Sequence, residues 1–490
     1  MSDNTGVSDL TPNSPVSECP RCVQLARLVA ELQSHALEFQ AEVKRLHSRI
    51  RDLEAKLNTH SGNSSLPPSA NPPGAPKFPP KPPTGRKPGG QPGHKGHSRE
   101  RLPVGRVDQV IEYFPDDCEK CHAPLSLERG GNDPEPVWHQ VAELPPVAAI
   151  VTEHQGHGRR CAGCGHVTFG RIPAAIRVHA FGPRLAAAVV FLSSRCHSSK
   201  RIVAETVQTL FGVPIALGSI SNLEAEMAAA LAPAHAEATE AVRTAPVKNA
   251  DETGWSIAGK LCWLWMAATN LVACFKISAG RGKADFLKLL GEDVAGVVGS
   301  DRWHAYNDLK LPDRQLCRAH LKRDFQKWLD RGGEGVSVGE AGLAAVKRIF
   351  ELWRDFRQGL IDRPALVAAM KPVQEELQRT LEAQQHCADK KVALFCRKIL
   401  AVDQALWTFT RIEGVEPTNN HAERTLRLAV IWRKISFGSH SDGGCRFTER
   451  ILTVVQTLRL QKRNVISYLE QAFEASRDDR TIPTLLPIGA

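Results

Sequence analysis

The sequence predicts a multidomain protein in which an N-terminal coiled coil and a zinc ribbon precede an α/β domain with an all-helical insertion. Three observations support this prediction. Apolar residues repeat every seven positions near the N-terminus, cysteines occur in pairs separated by two residues, and the pattern becomes strand-like after Ala245. A chain of 490 residues is also too long to fold around one hydrophobic core.

Composition narrows the class of protein. The chain is 42% hydrophobic and 24% charged, which is typical of a folded domain in water. It contains no run of about 18 apolar residues, and its N-terminus lacks the features of a secretory signal. We therefore expect a cytoplasmic protein without a membrane partner. Its 13 cysteines should be reduced there, so CxxC pairs favour metal binding over disulfides.

Residues 23–57 carry two apolar series with a seven-residue period, offset by four positions, which predict a parallel two-stranded coiled coil and hence a homodimer or a larger assembly. The alternative is a single amphipathic helix packed on its own chain. Residues 1–22 are predicted to be disordered; their Cys19 and Cys22 could bind zinc across a dimer or remain unligated thiols. The two series are Leu25, Leu32, Phe39, Leu46, Leu53 and Val29, Ala36, Val43, Ile50, Leu57.

Positive charge is concentrated in residues 58–106, which hold eight Lys and Arg, one acid and twelve prolines, whereas the net charge of the whole chain is +10. Such a segment cannot bury enough apolar surface to fold. We interpret it as a basic Pro/Gly-rich linker that can lie along phosphates; a solvated linker without a ligand is the alternative. The candidate phosphate contacts are Lys81, Arg86, Lys87 and Lys95.

Residues 107–172 are predicted to form a zinc-binding domain. Cys118 and Cys121 make one CxxC pair, and Cys161 and Cys164 make another. Four thiolates would form a closed structural zinc site rather than a catalytic one. His154 or His157 could replace one thiolate, which is an open alternative.

Residues 173–245 are predicted to be helical. The segments SKRIVAETVQTLFG and GSISNLEAEM read as two short helices about a glycine-containing turn, and Ser219 is placed to cap the second. This pattern makes the region a candidate helix-turn-helix. Most helical hairpins do not bind DNA, so the pattern alone is a weak indication.

Residues 246–440 are predicted to be an α/β domain. Three strand-like segments (APVKNADETGW, LCWLWMAATN and ACFKISAGRG) precede a helix, a buried strand (VAGVVGSD) and a short strand (RQLC). The order β-β-β-α-β-α-β fits a ribonuclease-H-like fold. An all-helical insertion should occupy about residues 325–412, and residues 441–490 form a C-terminal element.

Two acids occur at predicted strand ends, Asp251 after the first strand and Asp301 after the fourth, where sites of open α/β sheets gather. Glu423, near the start of a helix, would complete a carboxylate cage for two Mg²⁺ or Mn²⁺ ions. Each acid also has a structural alternative. Glu252 could replace Asp251, Asp301 could cap a helix, and Glu423 could pair with Arg427.

The motifs ADETGW, SDRWHAYN, CRAH, TNNHAER and RKISFGSHSDGG, together with GRKPGGQPGHKGH in the linker, resemble the insertion-sequence-66 family of DDE transposases. The likeness runs from about Cys19 to Leu469. It implies a transposase whose metal ligands are Asp251, Asp301 and Glu423. It also implies an element-encoded enzyme at the bacterial nucleoid that acts with small accessory proteins.

Further expectations follow from the resemblance. Four basic residues near Glu423 would hold the backbone of double-stranded DNA, although salt bridges on the helix surface are the alternative. Trp255 could stack on a base or belong to the core, and Cys317-x2-His320 would support the site. A DNA-binding repressor and a ribonuclease-H-like nuclease without strand transfer remain the competing functions. The four basic residues are Arg424, Arg427, Arg433 and Lys434.

Overall fold

The computed structural model describes residues 20–64 and 99–487. Its described residues form two compact units. The larger holds residues 20–64, 153–209 and 213–487, and the smaller holds residues 99–152 and 210–212. Residues 1–19, with Cys19, and the linker candidates Lys81, Arg86, Lys87 and Lys95 lie outside the described residues. None of the described helices is long and apolar enough to cross a membrane.

The N-terminal helix α1 (Pro20–Leu57) has 38 residues and covers the whole predicted repeat. Apart from Val43, which is half-buried, the large apolar side chains of the two series are between 45% and 78% exposed. Only the last turns of α1 are held by the rest of its unit, where Asp52 accepts a hydrogen bond of 3.1 Å from Arg331 and also pairs with Lys391. The apolar stripe of α1 is therefore unpaired within the described chain.

The smaller unit is mostly irregular. It contains a short 3-10 turn (Val104–Arg106) and an isolated antiparallel bridge from Asp117 to Pro124. The strand-like run VDQVIEYF does not form a strand there, because no neighbouring segment supplies the backbone groups that a strand requires.

The larger unit continues with a hairpin and a bundle of helices. In the bundle, α3 packs on the C-terminal helix α16 (Val465–Arg477), and α5 packs on α15 (Asp442–Leu460). Ser219 does not cap the second helix of the predicted helix-turn-helix, because α5 begins two residues earlier and Ala216 occupies the capping position. The elements are β1 (Gly158–Arg160), β2 (Val167–Phe169), α2 (Ala174–Arg177), α3 (Pro183–Ser194), α4 (Lys200–Phe211), α5 (Leu217–Ala230) and α6 (Ala232–Thr244).

A mixed five-stranded sheet follows, with the order β5-β4-β3-β6-β7. Strands β3, β4 and β5 pair antiparallel, whereas β6 runs parallel to β3, and β7 runs parallel to β6. This confirms the α/β domain and all five predicted strands. The elements are β3 (Val247–Ile257), β4 (Lys260–Ala268), β5 (Ala273–Ser278), α7 (Lys283–Leu290), β6 (Val297–Ser300) and β7 (Arg314–Leu316).

The predicted helix between β6 and β7 is absent from this described segment. Two 3-10 turns, His304–Tyr306 and Leu311–Asp313, take its place. Pro312 removes a backbone donor from this connection, which disfavours a continuous helix there.

Six helices follow β7, between Arg318 and Arg411. They pack around a separate apolar cluster centred on Phe325, Ile349, Phe395 and Phe409. The stretch expected to be helical is therefore helical, and its first helix begins at Arg318, before the expected residue 325. Its helices are α8 (Arg318–Arg331), α9 (Gly335–Arg357), α10 (Arg363–Gln384), α11 (Lys390–Leu400), α12 (Asp403–Leu406) and α13 (Thr408–Arg411).

Three helices complete the described chain: α14 (Asn420–Ser436), α15 (Asp442–Leu460) and α16 (Val465–Arg477). Helix α14 lies against β3 and β4, and α15 lies against β5. Side chains of α15 hydrogen-bond to alternate backbone N–H groups of β5, which is an edge of the sheet. The pairs are Thr457 to Ala273 (3.0 Å), Thr453 to Phe275 (3.1 Å) and Glu449 to Ile277 (2.7 Å).

Candidate active site

The register of two parallel strands places the candidate aspartates at one edge of the sheet. Asn249 of β3 pairs with Gly299 of β6. Asp251 and Asp301 each lie two residues beyond this pair in the same direction. Both therefore belong to the region where the carboxyl ends of parallel strands gather ligands.

Glu423 lies in the first turn of α14, and Asn419 anchors that turn beside β3. The amide of Asn419, which is 1% exposed, donates to the carbonyl of Ala250 (2.8 Å) and accepts from Asn249 (2.8 Å). On the other side, His421 contacts the carbonyl of Thr269 at 2.8 Å. The helix start is thus fixed against the residue that precedes Asp251.

The electrostatics of Asp251 indicate a crowded acidic site. Burial raises the pKa of Asp251 well above its usual value, and the negative charges of Glu252, Asp301 and Glu423 raise it further. The backbone N–H of Glu252 opposes this by donating to Asp251 Oδ1 at 2.9 Å. A divalent cation would remove the repulsion, since an opposite charge favours the ionised form.

Glu252 was the alternative to Asp251 as a candidate metal ligand, and its carboxylate is held by other side chains. Its carboxylate is held by Arg281 through Nε (2.8 Å) and Nη2 (2.7 Å), and Tyr306 donates its hydroxyl to the other oxygen. Burial, followed by the charge of Asp301, raises the pKa of Glu252. Both oxygens of Glu252 accept side-chain hydrogen bonds, which favours Asp251 over Glu252 as the candidate metal ligand.

Arg281 connects the segments that carry both aspartates. Its guanidinium lies 3.7 Å from the ring centre of Trp303 and 4.5 Å from that of Trp263. The indole N–H of Trp303 donates to the carbonyl of Arg281 (2.8 Å), and its backbone N–H donates to Asp301 Oδ1 (2.8 Å). Sequence reasoning did not single out Arg281; its position in the turn after β5 was the available signal.

Cys317 and His320 approach Glu423 from the start of α8. Their ligand atoms and a Glu423 carboxylate oxygen all lie within 4.8 Å of one another. In the described chain no other group of three such ligand atoms is this close, and the three carboxylates together do not reach that spacing. Two ions about 3.5–4 Å apart require a wider set of ligands than one ion does.

The two CxxC loops share one backbone conformation. In each loop the first cysteine N–H donates to the carbonyl five residues later, and its carbonyl accepts from the N–H four residues later, at distances of 2.8–3.0 Å. The residue after the second cysteine has a positive φ, 57° at His122 and 71° at Gly165.

The same loops stabilise thiolates. The backbone N–H groups of Cys121 and Lys120 lower the pKa of Cys118, and those of Cys164 and Gly163 lower the pKa of Cys161. Backbone donors aimed at a cysteine sulfur favour the ionised form, which is the form that binds metal. Each loop is therefore suited to ligation.

The basic residues of α14 divide into two groups. Arg424, Arg427 and Lys434 are exposed. Arg433 is half-buried, and its Nη1 donates to Thr253 Oγ1 (3.0 Å) and to the carbonyl of Gly254 (2.6 Å). The first three remain available to a phosphate backbone, whereas Arg433 is engaged with β3.

Trp255 belongs to the core. It is 2% exposed, and its indole N–H donates to Ser439 at 3.2 Å. The alternative of stacking on a base is thereby removed.

Comparison with known proteins identifies the family. A model described as a family of unknown function (DUF6444) matches residues 17–100. An uncharacterized protein, y4qI, of Sinorhizobium fredii (strain NBRC 101917 / NGR234) is 25% identical over 242 residues, which cover 43% of this chain and 42% of that protein. The model of the transposase IS66 family matches residues 179–446. Because this match covers more than half of the residues, the chain belongs to the IS66 family of transposases.

Proposed function

We propose that this transposase cleaves the ends of its insertion element and joins the 3′-hydroxyl to target DNA, with Asp251, Asp301 and Glu423 as the catalytic carboxylates. The observation that carries the proposal is the register of β3 and β6, which puts Asp251 and Asp301 each two residues beyond the pair Asn249–Gly299, with Glu423 in the first turn of the helix that packs on β3. After burial and the charge of Glu252, the charges of Asp301 and Glu423 raise the pKa of Asp251. The sheet order supports a ribonuclease-H-like fold for residues 246–440. The helices between Cys317 and Asn419 correspond to its insertion.

The carboxylates suit two hard divalent cations, Mg²⁺ or Mn²⁺. When bound, such ions activate the attacking oxygen and stabilise the leaving oxygen of an in-line displacement. Water would be the nucleophile in cleavage, and the 3′-hydroxyl would be the nucleophile in joining. Asn419 and Arg281 would hold the acids in place during both steps.

Structural zinc is proposed for Cys118, Cys121, Cys161 and Cys164 in a zinc-binding domain over residues 107–172. The support is the shared loop conformation and the lowered thiol pKa values of Cys118 and Cys161. Zinc held by four thiolates would stabilise this region, which has little regular structure of its own.

Double-stranded DNA, both element ends and target, is the proposed partner. Arg424, Arg427 and Lys434 would contact phosphates near Glu423, and the basic linker would add further contacts. The exposed apolar stripe of α1 supports self-association through a coiled coil. Small accessory proteins of the same element and the helix-turn-helix at α4 and α5 remain parts of the proposal.

The test is Mg²⁺-dependent cleavage and strand transfer on an element-end duplex, comparing the wild type with Asp301→Asn. Asp308→Asn is the matched control, because Asp308 lies on the same loop, is exposed and pairs only with Lys283 in the described chain. Joined product from the wild type and the control, but not from Asp301→Asn, supports the proposal. Nicking without joining would favour a nuclease. Binding with equal inactivity of all three proteins, even with accessory proteins added, would favour a repressor.

A further inference from the structure

Cys317, His320 and Glu423 form a second arrangement of metal-binding atoms that overlaps the proposed active site at Glu423. Cys317 directly precedes α8, and His320 lies in the first turn of that helix. His320 Nδ1 is 3.7 Å from Glu423 Oε1, and all three ligand atoms lie within 4.8 Å of one another. Three side chains from two distant segments therefore face a common point.

The sulfur of Cys317 is buried at that point and is surrounded by backbone donors. The residue is 1% exposed, and its sulfur accepts a hydrogen bond of 3.1 Å from the backbone N–H of Asn419. The N–H groups of Ala319 and His320 at the start of α8 are also directed at it. Burial raises the pKa of Cys317 and these donors oppose the rise, so the position of the sulfur beside His320 and Glu423, rather than its protonation state, makes it a candidate ligand.

His320 supplies an unused ligand atom. Its Nδ1 is buried and has no hydrogen-bond partner among the described residues. This nitrogen lies beside a carboxylate and a thiol, so it is available as a metal ligand together with them. The Glu423 side chain is 40% exposed, which leaves an open side for a fourth ligand from solvent.

The distances and donors point to zinc. Ligands about 2.0–2.2 Å from a tetrahedral ion are separated by about 3.4 Å, which is close to the separation of His320 and Glu423. Sulfur and imidazole also bind Zn²⁺ far better than Mg²⁺, which prefers an octahedron of oxygens. One nitrogen, one sulfur and one oxygen are a donor set for zinc.

We propose that Cys317, His320 and Glu423 bind one Zn²⁺ ion, and that this ion withdraws Glu423 from the catalytic Mg²⁺ site and so inhibits the enzyme. The binding part needs only the geometry above. The inhibitory part rests on the proposed function, because it requires Glu423 to be a catalytic ligand.

Binding is tested by the zinc content of the full-length protein after dialysis against a weak chelator. Cys317→Ala and His320→Ala should each retain one zinc ion per chain fewer than the wild type. Cys396→Ala is the matched control, because Cys396 is equally buried but lies in the apolar cluster of the helical insertion. Equal zinc content in the wild type and both site variants would overturn the proposal, whatever the four paired cysteines bind.

Co²⁺ provides a second readout. Loading the apo wild type should give a cobalt–thiolate charge-transfer band that is weaker in Cys317→Ala and unchanged in Cys396→Ala. If Cys317→Ala fails to fold, His320→Ala decides, since loss of the imidazole must shift the visible bands. Spectra of His320→Ala that match the wild type would contradict the site.

Inhibition is tested by titrating Zn²⁺ into Mg²⁺-driven cleavage. The Zn²⁺ concentration for half-inhibition should rise at least tenfold in Cys317→Ala, and it should rise with Mg²⁺ concentration in the wild type. If the site variants hold one zinc ion fewer than the wild type but are inhibited at the same Zn²⁺ concentration, the regulatory part is wrong and the binding site stands. If no protein cleaves DNA, the proposed function fails while the zinc content still decides the site.

Discussion

Asp251 carries an energetic cost that a cation would remove. Burial and three neighbouring acids raise its pKa, so the folded protein binds its proton more tightly than the unfolded chain does. Stability contributed by the protonated form is present at low pH and is lost as pH rises from the unfolded value through the folded one. At neutral pH, without metal, the ionised or partly ionised cluster therefore destabilises the fold.

We predict that Asp251→Asn raises the Tm of the metal-free protein at pH 7–8, by about 2 °C or more. Mg²⁺ should raise the Tm of the wild type and have little effect on the variant. Thermal unfolding in chelator and in Mg²⁺ measures both. Asp308→Asn controls for loss of one acid at the surface, and a variant no more stable than the wild type would contradict the crowded-acid interpretation.

Arg281 is predicted to position the site without touching DNA. Arg281→Met leaves Glu252 as a buried, unpaired carboxylate and removes the stack between two tryptophans, so cleavage should fall by about 100-fold or more. Arg281→Lys keeps a positive charge but loses the paired N–H groups of the guanidinium. Its cleavage rate should therefore lie between those of the wild type and Arg281→Met. Steady-state rates as a function of Mg²⁺ concentration make the comparison.

The control for Arg281 is the double variant Glu252→Gln/Arg281→Met, which removes the unpaired charge. The Tm that Arg281→Met loses should be recovered in the double variant. The Mg²⁺ concentration needed for half-maximal cleavage should be above the wild-type value in both variants, because Trp303 lacks its contact with Arg281. Full recovery of both would mean that Arg281 is only a counter-ion.

At the scale of elements, α15 protects the edge strand β5 by a match of repeat lengths. Glu449, Thr453 and Thr457 are spaced four residues apart on the helix, or about 6.0 Å. The N–H groups of Ala273, Phe275 and Ile277 are spaced two residues apart on the strand, or about 6.6 Å. Each helical side chain therefore accepts a hydrogen bond from the next N–H that no neighbouring strand pairs with. These three N–H groups are then unavailable to another chain.

We predict that Thr453→Val lowers the free energy of unfolding by about 1–3 kcal/mol, because the buried N–H of Phe275 loses its acceptor while the side-chain volume is kept. Thr380→Val is the control, since Thr380 bonds only to the carbonyl of Glu376 within α10. Urea unfolding gives both values. Equal losses would show that the contact with the edge strand adds nothing.

Some of these elements could be predicted from sequence, and others could not. Strand periodicity located β3 to β7 and placed Asp301 directly after β6. Asp251 was expected at a strand end but lies inside β3, because the hairpin with β4 extends that strand to Ile257. The contacts of Thr453 with Phe275 and of Asn419 with Ala250 join residues 178 and 169 positions apart, and no local pattern encodes such pairs. Ser219 was assigned a cap by a local rule that the packing of α5 overrode.

The attachment of α1 also depends on a distant pair. Arg331, with a side chain 2% exposed, binds both Asp52 and Asp389. We predict that Arg331→Met costs about 3–5 kcal/mol, because Asp389 loses its arginine partner and Asp52 keeps only Lys391. Asp52→Ala should cost less, since Asp389 still pairs with Arg331, but it should increase hydrogen exchange in the last turns of α1. Glu54→Ala, at an exposed neighbouring position, should leave exchange unchanged; an equal effect would contradict the attachment.

On the scale of the whole larger unit, α8 links α1 to the proposed active site. Its first turn carries His320 beside Glu423, and its last residue, Arg331, holds Asp52 of α1. The helix has 14 residues and spans about 21 Å. A dimer formed through α1 would therefore hold two active sites at a set distance, as the joining of two element ends requires.

The apolar stripe of α1 is predicted to be the surface through which the protein self-associates. Leu32→Asp places a charge in the apolar stripe and should convert a dimer into a monomer, because a buried unpaired charge costs more than the contact supplies. Leu37→Asp is the matched control: Leu37 is 68% exposed on the same helix but belongs to neither apolar series. Light scattering after size-exclusion chromatography measures the mass of each protein, and the cleavage assay is run beside it. Joining of paired ends should be lost in Leu32→Asp while binding to one end persists. Should Leu32→Asp remain dimeric, or should Leu37→Asp dissociate equally, the stripe is not the interface, and the two active sites must be brought together by DNA or by another surface.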